Sequence, residues 1–232
     1  MIDSAFSLER LERALSGHGL VLRGGFACTP DDALPDIAGR SARTLLLVGH
    51  VGGALWPPFE RARRARPELG LDEWTRTVIE PLAEAVGGRA LYPFQGPPFW
   101  PFQRWALRAD TVFVSPVNLL IHPRYGLWHA YRAALILPQT VTVPVRPTAA
   151  HPCEACPSRP CLAACPVAAL SPGKLDIARC VAHVTAPAGT ACQTGCLARL
   201  ACPVGREHLY PPAQRIFHMR AFLARHARTV PP

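Results

Sequence analysis

The sequence predicts an α+β fold with three parts: a front domain over residues 1–145, a small cysteine-rich module over residues 146–210, and a C-terminal helix with its tail over residues 211–232. Eight of the nine cysteines lie between Cys153 and Cys202, which sets the module apart. Before residue 138, segments with strand and helix patterns alternate, as is typical of layered domains that mix both elements. After residue 210, apolar residues recur at helical spacing.

The front domain begins with a helical pattern over residues 4–16, in which Ser4 is placed to act as the N-cap. We predict further helices over residues 60–66 and 72–86, and strands over residues 20–28, 43–50, 89–94, 112–121 and 128–137. Four prolines among small and polar residues predict a linker over residues 138–152. The amphipathic pattern of the tail predicts one helix over residues 211–227.

The chain carries a formal net charge of +9 at pH 7, nearly all of it from arginine, because Lys174 is the only lysine. A basic surface can attract nucleic acid, phosphates or an acidic redox partner. Arginine, alanine and proline are abundant along the whole chain, however, which indicates a compositional bias. The composition therefore disfavours a nucleic-acid partner.

No apolar run approaches the roughly 20 residues that span a bilayer. The first residues lack the basic start and apolar core of a secretory signal. We therefore expect a cytoplasmic protein with no membrane partner. In that reducing compartment, clustered cysteines are metal ligands more often than disulfides.

The cysteine spacing indicates two iron–sulfur clusters. A first run of four cysteines ends in a Cys-Pro pair, and a lone cysteine is followed by three more that end in a second Cys-Pro pair. The runs are Cys153-x2-Cys156-x4-Cys161-x3-Cys165-Pro166 and Cys180, Cys192-x3-Cys196-x5-Cys202-Pro203. The bacterial ferredoxin run is C-x2-C-x2-C-x3-C-P, and its fourth cysteine binds the other cluster. By analogy with such ferredoxins, one cluster is held by Cys153, Cys156, Cys161 and Cys202, and the other by Cys165, Cys180, Cys192 and Cys196.

Two alternatives to this assignment stay open. Two four-cysteine zinc sites use the same number of thiols. Because the gaps depart from the ferredoxin run, one cluster with four spare thiols is the other alternative. The apolar residues around the first run, such as Val167 and Leu170, favour clusters over zinc. Cys28 lies apart in a predicted strand, and we interpret it as a small core residue.

The segment from Leu119 to Pro138 reads Leu-Leu-Ile-His-Pro-Arg-Tyr-Gly-Leu-Trp-His-Ala-Tyr-Arg-Ala-Ala-Leu-Ile-Leu-Pro. It resembles a segment of the animal cobalamin-processing proteins of the cobalamin C type. It also resembles epoxyqueuosine reductase, in which a Leu-Leu-Ile…Gly-x-Trp segment leads into a two-cluster ferredoxin module with the same order of four, one and three cysteines. Both families belong to the corrinoid-dependent reductases, which implies a nitroreductase-like front domain here.

The resemblance implies a cobalamin or other corrinoid as cofactor, in addition to two [4Fe–4S] clusters. The candidate corrinoid-contacting residues are His122, Arg124, Tyr125, Gly126 and Trp128. Gly126 permits close approach of another group to the backbone, and His122 is a candidate for ordering the loop by hydrogen bonds. Four aromatic residues could add an apolar wall, namely Phe99, Trp100, Phe102 and Trp105. No catalytic residue is assigned.

Our expected function is an oxidoreductase in which the clusters pass electrons to the cobalt of a bound corrinoid, for reduction or processing of its upper ligand. The electron donor would be a protein such as a flavodoxin or a ferredoxin reductase. One alternative is a dicluster electron carrier that docks a partner enzyme. Another is an enzyme on a tRNA nucleoside, similar to epoxyqueuosine reductase. That family has an Asp-Thr-Gly-Pro motif whose aspartate is the proposed proton donor, whereas the nearest text in this chain, Phe94-Gln95-Gly96-Pro97-Pro98, has no acid at that place.

Overall fold

A computed structural model of the chain describes residues 7–226. Its contacts divide these residues into two compact units. The front unit consists of the residues up to Thr111 together with His129–Thr148, and the cysteine unit consists of Val112–Trp128 together with the residues from Ala149 onward. The units therefore interleave along the chain, whereas the sequence placed its domains one after another. The predicted domain boundaries stay a prediction.

The front unit is built from four helices, four strands and a 3-10 turn at Pro30–Asp32. Its helices are α1 (Leu8–Ser16), α2 (Trp56–Ala65), α3 (Leu71–Ala85) and α4 (Phe102–Ala109), and its strands are β1 (Val21–Ala27), β2 (Thr44–Val51), β3 (Arg89–Leu91) and β6 (His129–Leu137). The strands form one antiparallel sheet in the order β1-β2-β6-β3. The α+β class predicted from the sequence is confirmed.

The core of the front unit lies on the two central strands, β2 and β6. Every side chain of the Leu45–Val48 run in β2 is fully buried, as are Ala133–Leu137 opposite it in β6. A strand that is buried on both faces needs such a continuous apolar run. α4 contacts β1, and α3 contacts β3 and β6. These helices cover apolar surface of the sheet.

Two predicted elements differ in the structure. α2 begins at Trp56, earlier than predicted, with Pro57 and Pro58 in its first turn. Proline is tolerated there because the first amides of a helix have no partner within it. The predicted first helix begins at Leu8, where Ser7 Oγ accepts from the Arg10 amide at 3.4 Å. The proposed N-cap Ser4 lies outside the described residues.

The predicted linker over residues 138–152 contains no helix or strand, yet its first part is held on the front unit. The Thr44 hydroxyl donates to the Gln139 carbonyl at 2.9 Å and accepts from the Val141 amide at 3.0 Å. The Thr111 hydroxyl donates to the Pro147 carbonyl at 2.9 Å. These bonds fix the segment, so it does not behave as a free linker.

A buried ion pair joins β1 to the residue after α4. Arg23 is 5% exposed, and its Nε donates to Asp110 Oδ2 at 2.9 Å. The Tyr131 hydroxyl donates to the same oxygen at 2.8 Å, and the Thr111 amide donates to Oδ1 at 2.7 Å. Such hydrogen bonds satisfy a carboxylate that burial would otherwise penalise. The network therefore fixes α4 against the sheet.

The cysteine unit consists of short elements, apart from one long helix at its end. Its strands are β4 (Phe113–Val114), β5 (Leu120–Ile121), β7 (Leu170–Ser171) and β8 (Lys174–Leu175), its helices are α5 (Pro160–Ala163), α6 (Ile177–Thr185), α7 (Thr190–Gln193), α8 (Leu197–Leu200) and α9 (Pro212–His226), and 3-10 turns lie at Pro187–Gly189 and Arg206–His208. β4 pairs with β5 and β7 with β8, each as an antiparallel hairpin. α9 contacts α6 and α7.

The predicted strand over residues 112–121 is instead the β4–β5 hairpin. Pro116 cannot donate to a strand ladder, and Asn118 has φ +61°, which a strand does not adopt. The Ser115 amide bonds to the Leu119 carbonyl at 2.9 Å and closes the turn. Among residues 7–226, no helix is both long and apolar enough to cross a bilayer.

Candidate metal centre

Four thiols surround a small cavity in the cysteine unit. Cys153, Cys156, Cys161 and Cys202 all line it, and its volume is about 20 Å³. Burial, followed by the neighbouring thiols Cys202, Cys161 and Cys156, raises the pKa of Cys153 to about 11. Burial also raises the pKa of the Cys161 and Cys202 thiols. We call these four residues the first thiol set.

The other four thiols line a second, larger cavity in the same unit. Cys165, Cys180, Cys192 and Cys196 form this second thiol set, and the cavity has a volume of about 240 Å³. Burial, followed by the thiols Cys196, Cys165 and Cys192, raises the pKa of Cys180 to about 11. The amide of Ala169 donates to Cys165 Sγ at 3.3 Å. The structure thus brings the eight cysteines together in the same two groups that the resemblance to ferredoxins implied.

The two sets cross along the chain. Cys165 follows three cysteines of the first set but lines the second cavity, and Cys202 follows all four cysteines of the second set but lines the first. Each of these two residues precedes a proline, Pro166 or Pro203, that lines the same cavity. A proline has no backbone N–H, so the residue after each of these cysteines cannot donate a hydrogen bond from its amide. Both Cys-Pro pairs therefore lie where the chain passes between the sets.

The donor chemistry of both sets suits a cluster. A [4Fe–4S] cluster is bound by four cysteine thiolates, one on each iron, so it requires four thiols around a cavity. Both cavities meet this requirement. Within residues 7–226, no three Cys, His, Asp or Glu side chains are close enough together to hold a single metal ion. Burial raises the pKa of five of these thiols, so binding of a metal group would release protons from them; the five are Cys153, Cys161, Cys180, Cys192 and Cys202.

The β4–β5 hairpin packs directly on the first set. Val117, Ile121 and Leu127 form one buried cluster with Cys161 and Cys202. This places the Leu-Leu-Ile segment, from which the resemblance to reductases was drawn, in the same unit as the cysteines. Apolar packing around thiolates excludes water and lowers the local dielectric, both of which affect the potential of a cluster.

The candidate corrinoid-contacting loop has a different set of partners. His122 Nδ1 accepts hydrogen bonds from the amides of Arg124 and Tyr125, at 3.0 and 3.2 Å, and its ring stacks on Tyr125 at 4.2 Å. The His122 amide also bonds to the Gly126 carbonyl at 2.9 Å. His122 therefore orders this loop through hydrogen bonds. Arg124 is exposed, with its guanidinium 5.6 Å from the centre of the Tyr125 ring.

Gly126 is approached closely by backbone of the cysteine unit. Its φ is +55°, and a Cβ at this position would lie 1.9 Å from the Val204 carbonyl oxygen. Gly205, with φ +68°, makes the reciprocal contact, since its Cβ would lie 2.3 Å from the Tyr125 carbonyl carbon. The close approach that Gly126 predicted therefore occurs, and the approaching group is the chain that follows Cys202.

Trp128 is 1% exposed and lines the second cavity. Arg199 lies over its ring at 4.6 Å and over the Tyr210 ring at 4.5 Å. Arg199 Nε donates to the Leu127 carbonyl at 3.1 Å, and Nη2 donates to it as well. Trp128 and Tyr210 meet edge to face at 5.3 Å. Arg199 thus joins α8 to the segment before β6.

The four aromatic residues proposed as an apolar wall belong to the front unit. Tyr125 and Trp128 belong to the cysteine unit. Trp105 is 3% exposed, stacks with Trp100 at 6.1 Å and meets the tilted ring of Phe102 at 5.1 Å, whereas Phe99 is 74% exposed. Three of the four are thus packed together, and the corrinoid-binding role of the candidate residues stays a prediction. Cys28, also in the front unit, is partly buried, and burial raises its pKa to about 11.

Sequence reasoning missed the residues that complete the second cavity. Arg199, Arg215 and His218 line it, together with Met219 and Phe222 of α9. The only signal for Arg199 was an arginine between two cysteines. The α9 residues showed a helical pattern, which does not reveal what the helix packs against.

No protein-family profile and no curated protein matches this chain. Solved structures do match. Epoxyqueuosine reductase from Streptococcus thermophilus aligns with a TM-score of 0.51 at 15% identity, over 88% of this chain and 66% of that one. The chain shares the fold of epoxyqueuosine reductase. The Bacillus subtilis enzyme, solved with its catalytic loop swung out of the active site, aligns with a TM-score of 0.45 at 15% identity, over 90% of this chain and 69% of that one.

At this identity the likeness establishes the fold alone, and the chain spans about two thirds of the length of these proteins. The predicted resemblance to epoxyqueuosine reductase is thus confirmed at the level of fold. The resemblance to cobalamin-processing proteins is not shown by these matches.

One expectation is contradicted by the comparisons. The composition led us to disfavour a nucleic-acid partner, but an epoxyqueuosine reductase that aligns with 90% of this chain has been crystallised with a tRNA stem loop. That structure has a TM-score of 0.45 and 15% identity to this chain. Our reasoning attributed the charge of +9 to compositional bias, although arginine-rich surfaces are also what phosphate contacts require.

Proposed function

We propose that this chain is an iron–sulfur oxidoreductase in which each thiol set holds one [4Fe–4S] cluster. The observation that carries this proposal is the convergence of eight cysteines, in crossed order, around two separate cavities. Such clusters, when bound, accept and release single electrons. The chain supplies the thiolates, the Ala169 amide that donates to Cys165 Sγ, and the apolar residues that keep water away.

The crossed sets make a sharp test possible. Protein purified without oxygen should contain about eight irons and as many sulfides per chain. The double variant Cys161→Ala/Cys202→Ala removes two thiols from one set and should retain about four irons. The double variant Cys161→Ala/Cys165→Ala removes two thiols that are near in sequence but belong to different sets, and it should retain almost none. Cys28→Ala is the control and should keep the full content.

Two results would contradict this proposal. Retention of half the iron by the Cys161→Ala/Cys165→Ala variant would show that the sets do not cross. Purified protein that contains zinc and no sulfide would favour the four-cysteine zinc sites instead.

A second candidate function is a reductase that acts on a nucleoside in tRNA, as the name of the proteins with the same fold suggests. The specific observation in its favour is a basic face on α2. Arg61 and Arg64 are exposed and, among residues 7–226, form no ion pair, whereas Arg66 of the same run pairs with Glu68 and Glu73. Phe94-Gln95-Gly96-Pro97-Pro98, the nearest text to the Asp-Thr-Gly-Pro motif, contains no acid, so the proton donor proposed for that family has no counterpart at this place in the sequence.

Binding of tRNA tests this candidate. We expect affinity for a tRNA stem loop to fall steeply between 50 and 200 mM salt, because released counterions drive such binding. The double variant Arg61→Gln/Arg64→Gln should weaken binding and lower the salt dependence by roughly two phosphate contacts. Arg10→Gln, at an exposed position of α1, is the matched control. Salt-independent or undetectable binding would exclude this candidate.

A corrinoid acceptor can be tested on the same preparation. The visible spectrum of cobalamin should shift when cobalamin is added to the reduced protein. An unchanged spectrum would exclude a corrinoid as the electron acceptor.

A further inference from the structure

The two thiol sets line cavities of very different size. The first cavity has a volume of about 20 Å³ and the second about 240 Å³. The four thiols make up only part of the lining of the second cavity, which extends to Met219 and Phe222 of α9. An apolar cavity of about 150 Å³ engineered into another protein binds benzene. The second cavity therefore has room for a ring-sized molecule beside the thiols.

One part of the wall of this second cavity contains no thiol and is a group of residues that contact one another. Trp128, Arg199 and His218 belong to it. Tyr210 holds the group together, since its ring contacts Trp128 at 5.3 Å, Arg199 at 4.5 Å and His218 at 5.7 Å. This wall is built from three segments of the cysteine unit and is held by aromatic and cation–π contacts.

Buried donors without partners lie in the same wall. The indole Nε1 of Trp128, a residue only 1% exposed, has no hydrogen-bond partner among residues 7–226, and neither has the buried Nε of Arg215. A buried N–H without an acceptor is unfavourable, so native proteins almost always supply one. None of the described residues that line the cavity is an aspartate or a glutamate. The wall therefore offers donors and positive charge with no carboxylate to satisfy them.

The rest of the lining is suited to an apolar body. Met219 and Phe222 of α9 face the cavity, as do Leu197 and Leu200 around α8. Ligand sites typically combine a mainly apolar lining with a few polar groups that fix orientation. The second cavity shows this combination.

We propose that the second cavity binds a small aromatic carboxylate next to the second thiol set. The Trp128 indole N–H and the Arg215 guanidinium supply donors for its carboxylate, and the ring lies among the apolar side chains. This site goes beyond the proposed iron–sulfur function, and it rests on that function only in taking the second thiol set to hold a cluster beside the ligand.

The probe for this site is 2-naphthoate, with 2-naphthalenemethanol as its neutral counterpart. Isothermal titration of protein that contains both clusters should give saturable binding of one 2-naphthoate per chain. The carboxylate should bind at least about tenfold more tightly than the alcohol, because hydrogen bonds to a charged group are stronger than those to a neutral one. Binding should also alter the paramagnetic signal of one reduced cluster only.

Substitutions on α9 locate the site. Met219→Trp fills the cavity and should abolish binding, while Arg215→Gln keeps the volume and should weaken binding of the carboxylate about tenfold without affecting the alcohol. Arg220→Gln changes an exposed residue of the same helix and should bind as the unchanged protein does. Iron content is measured on every variant.

Failure of this inference is distinguishable from failure of the proposed function. Protein with about eight irons that shows no saturable binding of 2-naphthoate would overturn the ligand site alone. Binding that survives Met219→Trp with iron retained would place the ligand elsewhere and overturn it as well. Protein without iron that still binds 2-naphthoate would refute the clusters and leave the ligand site standing.

Discussion

Replacing Gly126 by alanine should remove the cluster of the first thiol set and leave that of the second. The added Cβ would lie 1.9 Å from the Val204 carbonyl oxygen and 2.7 Å from its carbonyl carbon. Real Cβ atoms keep at least about 3.0 Å from such atoms, so the chain after Cys202 must move by about 1 Å or more. Both atoms belong to backbone, which cannot rotate away as a flexible side chain can. The movement displaces Cys202 from the other three thiols.

The loss of unfolding free energy expected for Gly126→Ala has two parts. Alanine with a positive φ costs about 1–2 kcal/mol. The displaced backbone adds a further cost, so the free energy of unfolding should fall by more than about 4 kcal/mol, which is large for a single substitution. Gly173→Ala separates the two parts, because Gly173 also has a positive φ, +78°, but no atom lies within 4 Å of the position that its Cβ would take. That control should show only the smaller loss.

Iron content and urea unfolding measure the two effects. We expect Gly126→Ala to contain about four irons per chain, and Gly173→Ala to contain about eight. The reasoning is refuted if Gly126→Ala keeps both clusters and unfolds at the same urea concentration as Gly173→Ala. It is also refuted if Gly126→Ala loses the cluster of the second set while keeping that of the first.

Three further outcomes are expected. Asp110→Ala should lower the free energy of unfolding by about 3–5 kcal/mol in urea titrations, because it leaves the Arg23 guanidinium buried without its carboxylate; a loss below about 1 kcal/mol would contradict the role of the pair. With both clusters bound, Cys28 should react with iodoacetamide at pH 8 roughly a hundredfold more slowly than an ordinary thiol, since its raised pKa of about 11 keeps it protonated. Its rate should climb until the pH passes about 11, and a rate that levels off by pH 9 would contradict this. Gln214→Met should raise stability by about 1 kcal/mol, because the amide of the fully buried Gln214 has no partner among residues 7–226. Gln193→Met should lower it by a similar amount, because Gln193 Nε2 donates to the Val184 carbonyl at 2.9 Å.

The sequence predicted the parts that depend on local pattern. The buried run Leu45–Val48 and the strand that ends at Leu137 are continuous apolar stretches, and the structure has both as central strands. The division of the cysteines into two crossed sets followed from the resemblance to ferredoxins. Each of the two strands is predicted by a short apolar stretch, whereas the spacing of the cysteines alone does not give their division into sets.

Contacts between distant segments could not be predicted in this way. Gly126 indicated that another group approaches the backbone closely. The residues next to it in sequence do not indicate that the approaching backbone is that of Val204 and Gly205. Arg199 contacts Trp128 and Tyr210 only because the fold brings three separate segments together. The basic residues of α2 likewise did not predict a function, since charge alone does not distinguish a helix face that is solvated from one that binds phosphates.

The interleaving of the two units has a consequence for how this protein can be divided. The chain leaves the front unit after Thr111, returns to it at His129 through the central strand β6, and leaves it again after Thr148. No single cleavage between residues 7 and 226 therefore yields both units intact. A fragment that starts at Ala149 retains every cysteine of the two sets but lacks the hairpin that packs on Cys161 and Cys202. The residues from Ala149 onward therefore do not form the complete cysteine unit. A fusion or a truncation that is meant to transfer this unit must include residues 112–128 as well.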